Sequence, residues 1–247
     1  MVVFDEIKFG EDVYKNGLKS KKYIMTELLN IAKYLKHNNI EIKNTLIEFC
    51  KKNIENFNME EWEGILDATL DKANKYPALT GKVIKITKSE LDIISELDNI
   101  DAQKILFILL VINKFKNYTL DASRAELFKL AEVKANTKKQ ESILFLLNSK
   151  KLTEIYNKTR NNKNHNFRKV TFINDESEVM ITINNFDNII IYYKKYLGEN
   201  IIECENESCN KLFYPRNNTH KYCKDCAREK QLEWQRESMK KSRSKNM

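Results

Sequence analysis

The chain is poor in the residues that interrupt helices: two prolines and five glycines in 247 residues. With Lys, Glu and Leu abundant, that scarcity favours a mostly helical protein with few long loops. Long apolar runs are also missing. The longest, ILFILLVI at 105–112, is far too short to span a bilayer. The start, MVVFDEIKFGED, is acidic and lacks the apolar centre of a secretory signal. A cytoplasmic location without membrane contact is therefore expected, and disulfides are disfavoured there. Histidine is scarce as well: His37, His165 and His220 lie in unrelated segments. No Gly-rich phosphate loop, GxSxG or paired-histidine motif is present, and a zinc nuclease of the HNH kind would need histidines beside its finger. Catalysis is not expected.

Charge is plentiful and unevenly placed. The formal net charge is +8, yet residues 1–100 carry 15 Lys/Arg against 17 Asp/Glu, and residues 101–247 carry 28 against 18. A split of sign between halves suggests that one half faces a polyanion, beside the plainer reading of a solvated basic surface.

Residues 1–80 read as consecutive helices. Ile24, Leu28, Ile31 and Leu35 recur at helical spacing, as do Ile42, Leu46, Phe49, Cys50 and Ile54. Cys50, on an apolar helical face, reads as a buried structural thiol. Asn58 followed by Glu61 resembles a helix cap ahead of Trp62, Ile65, Leu66, Leu70 and Ala73, and Pro77 with Gly81 then sets a boundary near residue 80.

Residues 81–200 open with KVIKI, a strand-like alternation, and Thr87 with Glu90 makes a capping-box signature for a helix at SELDIISEL. Three helices are expected next: DAQKILFILLVINKFKN, DASRAELFKLAEV, and 134–151. Two strands, LTEIYNKT and KVTFI, follow, joined by RNNKNHNFR. Three helices and a β-hairpin are the winged-helix order. A further strand and helix, VMITINNFDNIIIYYKKYL, lead into the cysteine-rich residues 201–247. The expected fold is mainly α with small β-hairpins: a helical N-terminal module, a winged-helix-like centre and a treble-clef-like four-cysteine finger.

The winged-helix reading assigns nucleic-acid contacts. The polar start of the helix at 134–151 offers Lys134, Asn136, Thr137, Lys138, Lys139 and Gln140; Asn and Gln can pair with adenine, and Lys reaches guanine or phosphate. Asn136 and Gln140, four residues apart, would address neighbouring base edges. The wing supplies Lys158, Arg160, Lys163, His165, Arg168 and Lys169, with no acid among residues 158–169. Such a loop can follow phosphates or enter a minor groove. The alternative is a solvated hairpin on a domain that docks protein.

Four of the five cysteines lie at Cys204, Cys209, Cys223 and Cys226, two close pairs with a spacer of ordinary finger length. Each short turn can aim two thiolates at one tetrahedral ion, so zinc is expected. A redox pair would need a thioredoxin-like context, and the spacing matches neither common ferredoxin pattern. Four sulfurs leave no open coordination position, which favours a structural role, and His220 is expected outside the shell. Lys211, Lys221, Lys224 and Arg228 are expected to offset the negative site. Residues 211–247 carry 11 Lys/Arg against 4 acids. So polar a segment needs the metal to fold, and zinc contributes about 10–16 kcal/mol of apparent binding energy in comparable peptides. Its product would be a basic helix bearing Lys224, Arg228, Lys230, Trp234 and Arg236, or else a finger that only caps the domain.

ELLNIAKYLKH, ITKSELDIISEL, KILFILLVINKF and the closing KYCKDCAREKQ resemble an uncharacterised type of zinc-finger-containing protein carried by prophages and integrative elements of low-GC Gram-positive bacteria. The resemblance implies a mobile-element setting and no particular activity. The function expected is double-stranded DNA binding, as a regulator of transcription or replication. The alternatives are a protein-interaction module that modulates a host machine, and RNA binding through the finger and tail.

Overall fold

The computed structural model describes residues 2–116, 122–156 and 167–245. The fold is mainly helical, with small antiparallel strand pairs and a cysteine cluster towards the C-terminus. It divides into two compact units, the first Met1–Lys82 and the second containing Val83–Leu120 and Arg124–Met247. The described residues from 201 onward fall within the second unit.

In the first unit, α1 (Glu6–Asn16), α2 (Ile24–His37), α3 (Lys43–Asn53) and α4 (Met59–Lys75) surround one core. Asp5 starts α1 by accepting from the N–H groups of Ile7 and Lys8, and Asn58 starts α4 by accepting from Glu60 N at 3.0 Å. Leu28, Ile31 and Leu35 from α2 and Leu46 and Cys50 from α3 are fully buried. Each large apolar side chain removed from water contributes about 1.5–3 kcal/mol. Burial pushes the Cys50 thiol up to about 11, as befits a packing residue. The α1–α2 contact is so close that a Cβ on Gly10 would lie 2.1 Å from the carbonyl oxygen of Asn30. Beside it, buried Lys33 reaches the half-buried carboxylate of Glu6 at 2.6 Å, and the same carboxylate accepts from Leu79 N at 2.7 Å.

The second unit is organised by α6 (Ile100–Phe115), buried at every position from Ile105 to Asn113. A helix apolar all round must lie inside. Around it pack α5 (Lys88–Ser95), α7 (Arg124–Leu130), α8 (Thr137–Ser149), α9 (Ile190–Tyr196), β1 (Ile84–Thr87) and β3 (Phe167–Val170). β1 pairs antiparallel with β4 (Val179–Ile183), and β2 (Thr153–Tyr156) pairs antiparallel with β3. The Thr87–Glu90 capping box forms as expected. Asn113, buried in α6, donates to Arg168 O at 3.2 Å and accepts from Val170 N at 3.0 Å, which fixes β3 against the central helix.

Two helices are shorter than their patterns suggest. α7 ends at Leu130 because Glu132 adopts a left-handed backbone (φ 52°), and the Val133 N–H returns to Phe128 O. α8 begins at Thr137, since Asn136 serves as its cap.

The glycines of the first unit give opposed predictions. Gly10→Ala should destabilise it by about 1–3 kcal/mol, because the added methyl meets backbone that cannot yield. At Gly64, inside α4, a Cβ would meet nothing within 4 Å beyond its chain neighbours and the backbone of its own helix, among the described residues. Gly64→Ala should therefore stabilise by about 0.5–1 kcal/mol. Urea unfolding of both variants measures the difference.

Candidate metal centre and the basic surface around it

The cysteines are brought together by a small hairpin and a helix start. β5 (Ile202–Glu203) pairs antiparallel with β6 (Leu212–Phe213), and Cys204 N donates to Lys211 O at 2.9 Å across the turn. Between the strands the chain makes a tight knuckle: Cys209 N donates to Asn206 O at 2.8 Å, and Asn210 takes a left-handed backbone (φ 49°) to turn into β6. Asparagine tolerates that conformation better than most residues. Cys223 directly precedes α10 (Lys224–Lys245) and Cys226 lies in its first turn, three residues on and hence on the same side.

All four Sγ atoms lie within 4.8 Å of one another, and the Cys209–Cys223 pair is 3.6 Å apart. A tetrahedral ion with metal–sulfur bonds of about 2.3 Å needs sulfur separations of about 3.8 Å. The arrangement can therefore hold one metal ion with little rearrangement. Cys204, Cys223 and Cys226 are buried and Cys209 is half-buried, and none forms a disulfide.

Hydrogen bonds to sulfur prepare the site for thiolates. Cys223 N donates to Cys204 Sγ at 3.4 Å, and Asn206 Nδ2 donates to Cys226 Sγ at 3.2 Å. Burial opposes ionisation of Cys204, but hydrogen bonds from the backbone N–H groups of Cys223 and Asn206 and from the Cys226 and Cys209 thiols together hold this thiol below its usual range. Cys209 is pushed up to about 12, chiefly by burial and further by the neighbouring cysteines. One thiol ionises readily while a neighbour resists: crowded sulfurs need a cation before all can be thiolates.

His220 accepts from Arg216 N at its Nδ1 (3.1 Å) and packs edge-on against Phe213, outside the sulfur cluster. The charges around the site differ from expectation. Lys211 is bound to Asp225 (2.9 Å) and Asp187 (3.1 Å), and Lys221 to Glu205 (3.2 Å). These two lysines are already matched by carboxylates, leaving Lys224 and Arg228 as exposed cations near the cluster. Sequence reasoning missed Asp187, Asp225 and Asn206. Asn206, two residues after Cys204, was the available signal, since an Asn inside a knuckle turn commonly bonds to nearby backbone.

The expected nucleic-acid residues are differently disposed. On α8, the side-chain oxygen of Asn136 accepts from Lys139 N at 2.9 Å, and Gln140 Nε2 donates to Ala135 O at 2.9 Å. Both amides are engaged at the helix start, where unpaired backbone groups require partners, instead of forming a free pair aimed outward. Lys139 is bound to Asp101 at 2.6 Å. Lys134, Thr137 and Lys138 are exposed. In the hairpin, Lys158, Arg160, Lys163 and His165 lie outside the described residues.

Arg168 faces inward. It stands two residues before Val170 on β3, so it shares the side on which Val170 is buried against Thr153 of β2. Its Nη1 is buried without a hydrogen-bond partner among the described residues, and burial lowers its pKa. Lys169 is on the outer side, across from Glu154.

α10 is exposed at every residue from Arg228 to Met239. Asp225, Glu229, Glu233 and Glu237 recur every fourth residue and form one stripe, with Lys230 and Arg236 each three residues from Glu233. Lys230 also lies over the Tyr222 ring, 4.0 Å from its centroid. The opposite face carries Lys224, Arg228, Gln231, Trp234, Gln235 and Ser238, and no acid.

Purified protein should carry one equivalent of metal, measured by elemental analysis. Cys223→Ser combined with Cys226→Ser should abolish it, and Cys50→Ala should leave it unchanged. Because protons compete with metal for thiolates, affinity should weaken as pH falls and never the reverse. Retention of full metal by the double variant would exclude this cluster as the site. No family model, curated protein or solved structure matches the chain.

Proposed function

We propose that the protein binds double-stranded DNA as a regulator of transcription or replication in a mobile element, a phage or integrative element, and that it binds without catalysing. In this reading the ion at Cys204, Cys209, Cys223 and Cys226 is a structural zinc in a treble-clef-like finger, and residues 81–200 act as a winged-helix-like body. The setting is cytoplasmic. Among the described residues no helix is long and apolar enough to cross a membrane.

The observation that carries the reading is α10. A helix of 22 residues leaves the cysteine cluster, exposed throughout Arg228 to Met239, with its acids confined to one stripe and an acid-free face bearing Lys224 and Arg228. Isolated helices gain little from local propensity alone, so an exposed helix on a fixed base suits a partner that neutralises its charge. Gln231 and Gln235 add amides that can address base edges. With Asn136 and Gln140 occupied at the start of α8, sequence preference is assigned to α10, and the wing with Lys169 is assigned to phosphates.

A second reading, docking of a host protein, is favoured by Phe145. It is 74% exposed on α8, a large aromatic on an otherwise polar surface. RNA binding is the third reading, because exposed Trp234 suits stacking on unpaired bases.

Fluorescence anisotropy of the metal-loaded full chain on randomised duplexes, across a salt series, tests the reading. Affinity should fall steeply with salt. Ala at Lys158, Arg160 and Lys163 should flatten the logarithmic slope by about one for each phosphate no longer neutralised, without altering sequence preference. Arg228→Ala with Gln231→Ala should relax preference. Preference for single-stranded RNA would move the reading to RNA. Absence of nucleic-acid binding, together with a Phe145-dependent protein complex, would move it to docking.

A further inference from the structure

Beside the cysteine knuckle, a cleft of about 460 Å3 opens between β4, α9 and the β5–β6 hairpin. Three consecutive residues of β4 line it: Met180, Ile181 and Thr182. Successive side chains of a strand point to opposite faces, and here Ile181 is buried while Met180 and Thr182 are exposed. A cleft bordered by all three runs along the strand's edge. β4 pairs with β1 alone, so among the described residues its other edge has no partner strand. Such an edge presents main-chain donors and acceptors to whatever enters the cleft.

The remaining lining is of two kinds. Tyr196, 39% exposed, and Leu212 add apolar surface to that of Met180, which is 46% exposed. Lys195 and Glu203 bring charges of opposite sign, and neither side chain makes an ion pair or hydrogen bond among the described residues. Lys211, nearby on the hairpin, is by contrast matched by Asp187 and Asp225. Unmatched charges of both signs beside a free strand edge suit a ligand that carries both signs and its own main-chain hydrogen-bonding groups. A nucleic acid offers only one sign and would be repelled by Glu203.

We propose that this cleft binds an extended polypeptide segment of a partner protein. The segment adds to the free edge of β4 as a third strand, with main-chain hydrogen bonds supplying affinity and alternate side chains supplying specificity. An apolar side chain rests against Met180, Tyr196 and Leu212, an acidic residue meets Lys195, and a basic residue meets Glu203. Glu203 and Asn210 each adjoin a cysteine of the cluster, so the knuckle forms one wall of the cleft. The site is separate from the acid-free face of α10 and does not depend on the DNA reading.

The test uses phage-displayed random heptapeptides selected on the metal-loaded full chain, followed by anisotropy with the enriched peptides made synthetically. Enriched sequences should lack internal proline, alternate apolar with polar residues, and carry an acid. N-methylation of alternate amides in one register should weaken binding by about tenfold or more, and in the other register hardly at all, because only one set faces β4. Lys195→Glu should weaken binding by about tenfold, and exchange of the peptide's acid for lysine should restore it. Lys195 is exposed, and unchanged metal content and circular dichroism verify folding of that variant. Failure to enrich any peptide, equal binding by both N-methyl registers, or a self-associating chain whose dimer is dissolved by Met180→Asp would each overturn the proposal.

Discussion

The buried carboxylate of Glu90 holds the second unit together. It closes the start of α5 by accepting from Thr87 N at 2.9 Å, and it accepts from Asn174 N at 3.0 Å in the segment leading to β4. The Lys114 ammonium, at the far end of α6, reaches it at 2.8 Å and also bonds to Lys85 O and Asp175. Glu90 is fully buried and the Lys114 side chain nearly so. Leaving such a carboxylate without its partner costs about 3–5 kcal/mol, so strand, helix and loop are held to one arrangement. The β1–β4 ladder is positioned by this network.

Much of the local order was legible in the residues. The Thr87–Glu90 spacing announced a capping box, the steps from Leu28 to Leu35 announced a buried helical face, and ILFILLVI announced a central helix. Each is a short-range pattern whose physics is complete within one or two turns. The cysteine spacing belongs to the same class, because a knuckle and a helix start are local devices. What the pattern does not contain is the cation that meets Glu90, since Lys114 lies far along the chain and only tertiary packing brings it near.

The less legible features turn on single-residue register. Arg168 and Lys169 look alike in sequence, but pairing with Ile155 and Glu154 sends one inward and the other outward; a shift of one position would exchange them. Asn136 and Gln140 illustrate a similar limit. Their spacing fits a shared helical face, yet the helix starts between them and draws on both amides for its own hydrogen bonds. Lys211 was likewise readable as a charge, whereas its carboxylate partners came from a distant loop and from α10 itself.

The length of α10 makes it a lever. Its 22 residues extend roughly 33 Å at about 1.5 Å per residue, so a tilt of about 10° at the foot displaces the tip by roughly 6 Å. A two-residue hairpin pair and a few half-buried side chains are a soft mounting for so long an arm. Four sulfurs closed on one ion would be a stiff one, and two of them, Cys223 and Cys226, stand at the foot of the arm. With an ion bound, the angular stiffness of a few atoms at the cluster would set how sharply the outer residues of the helix are aimed.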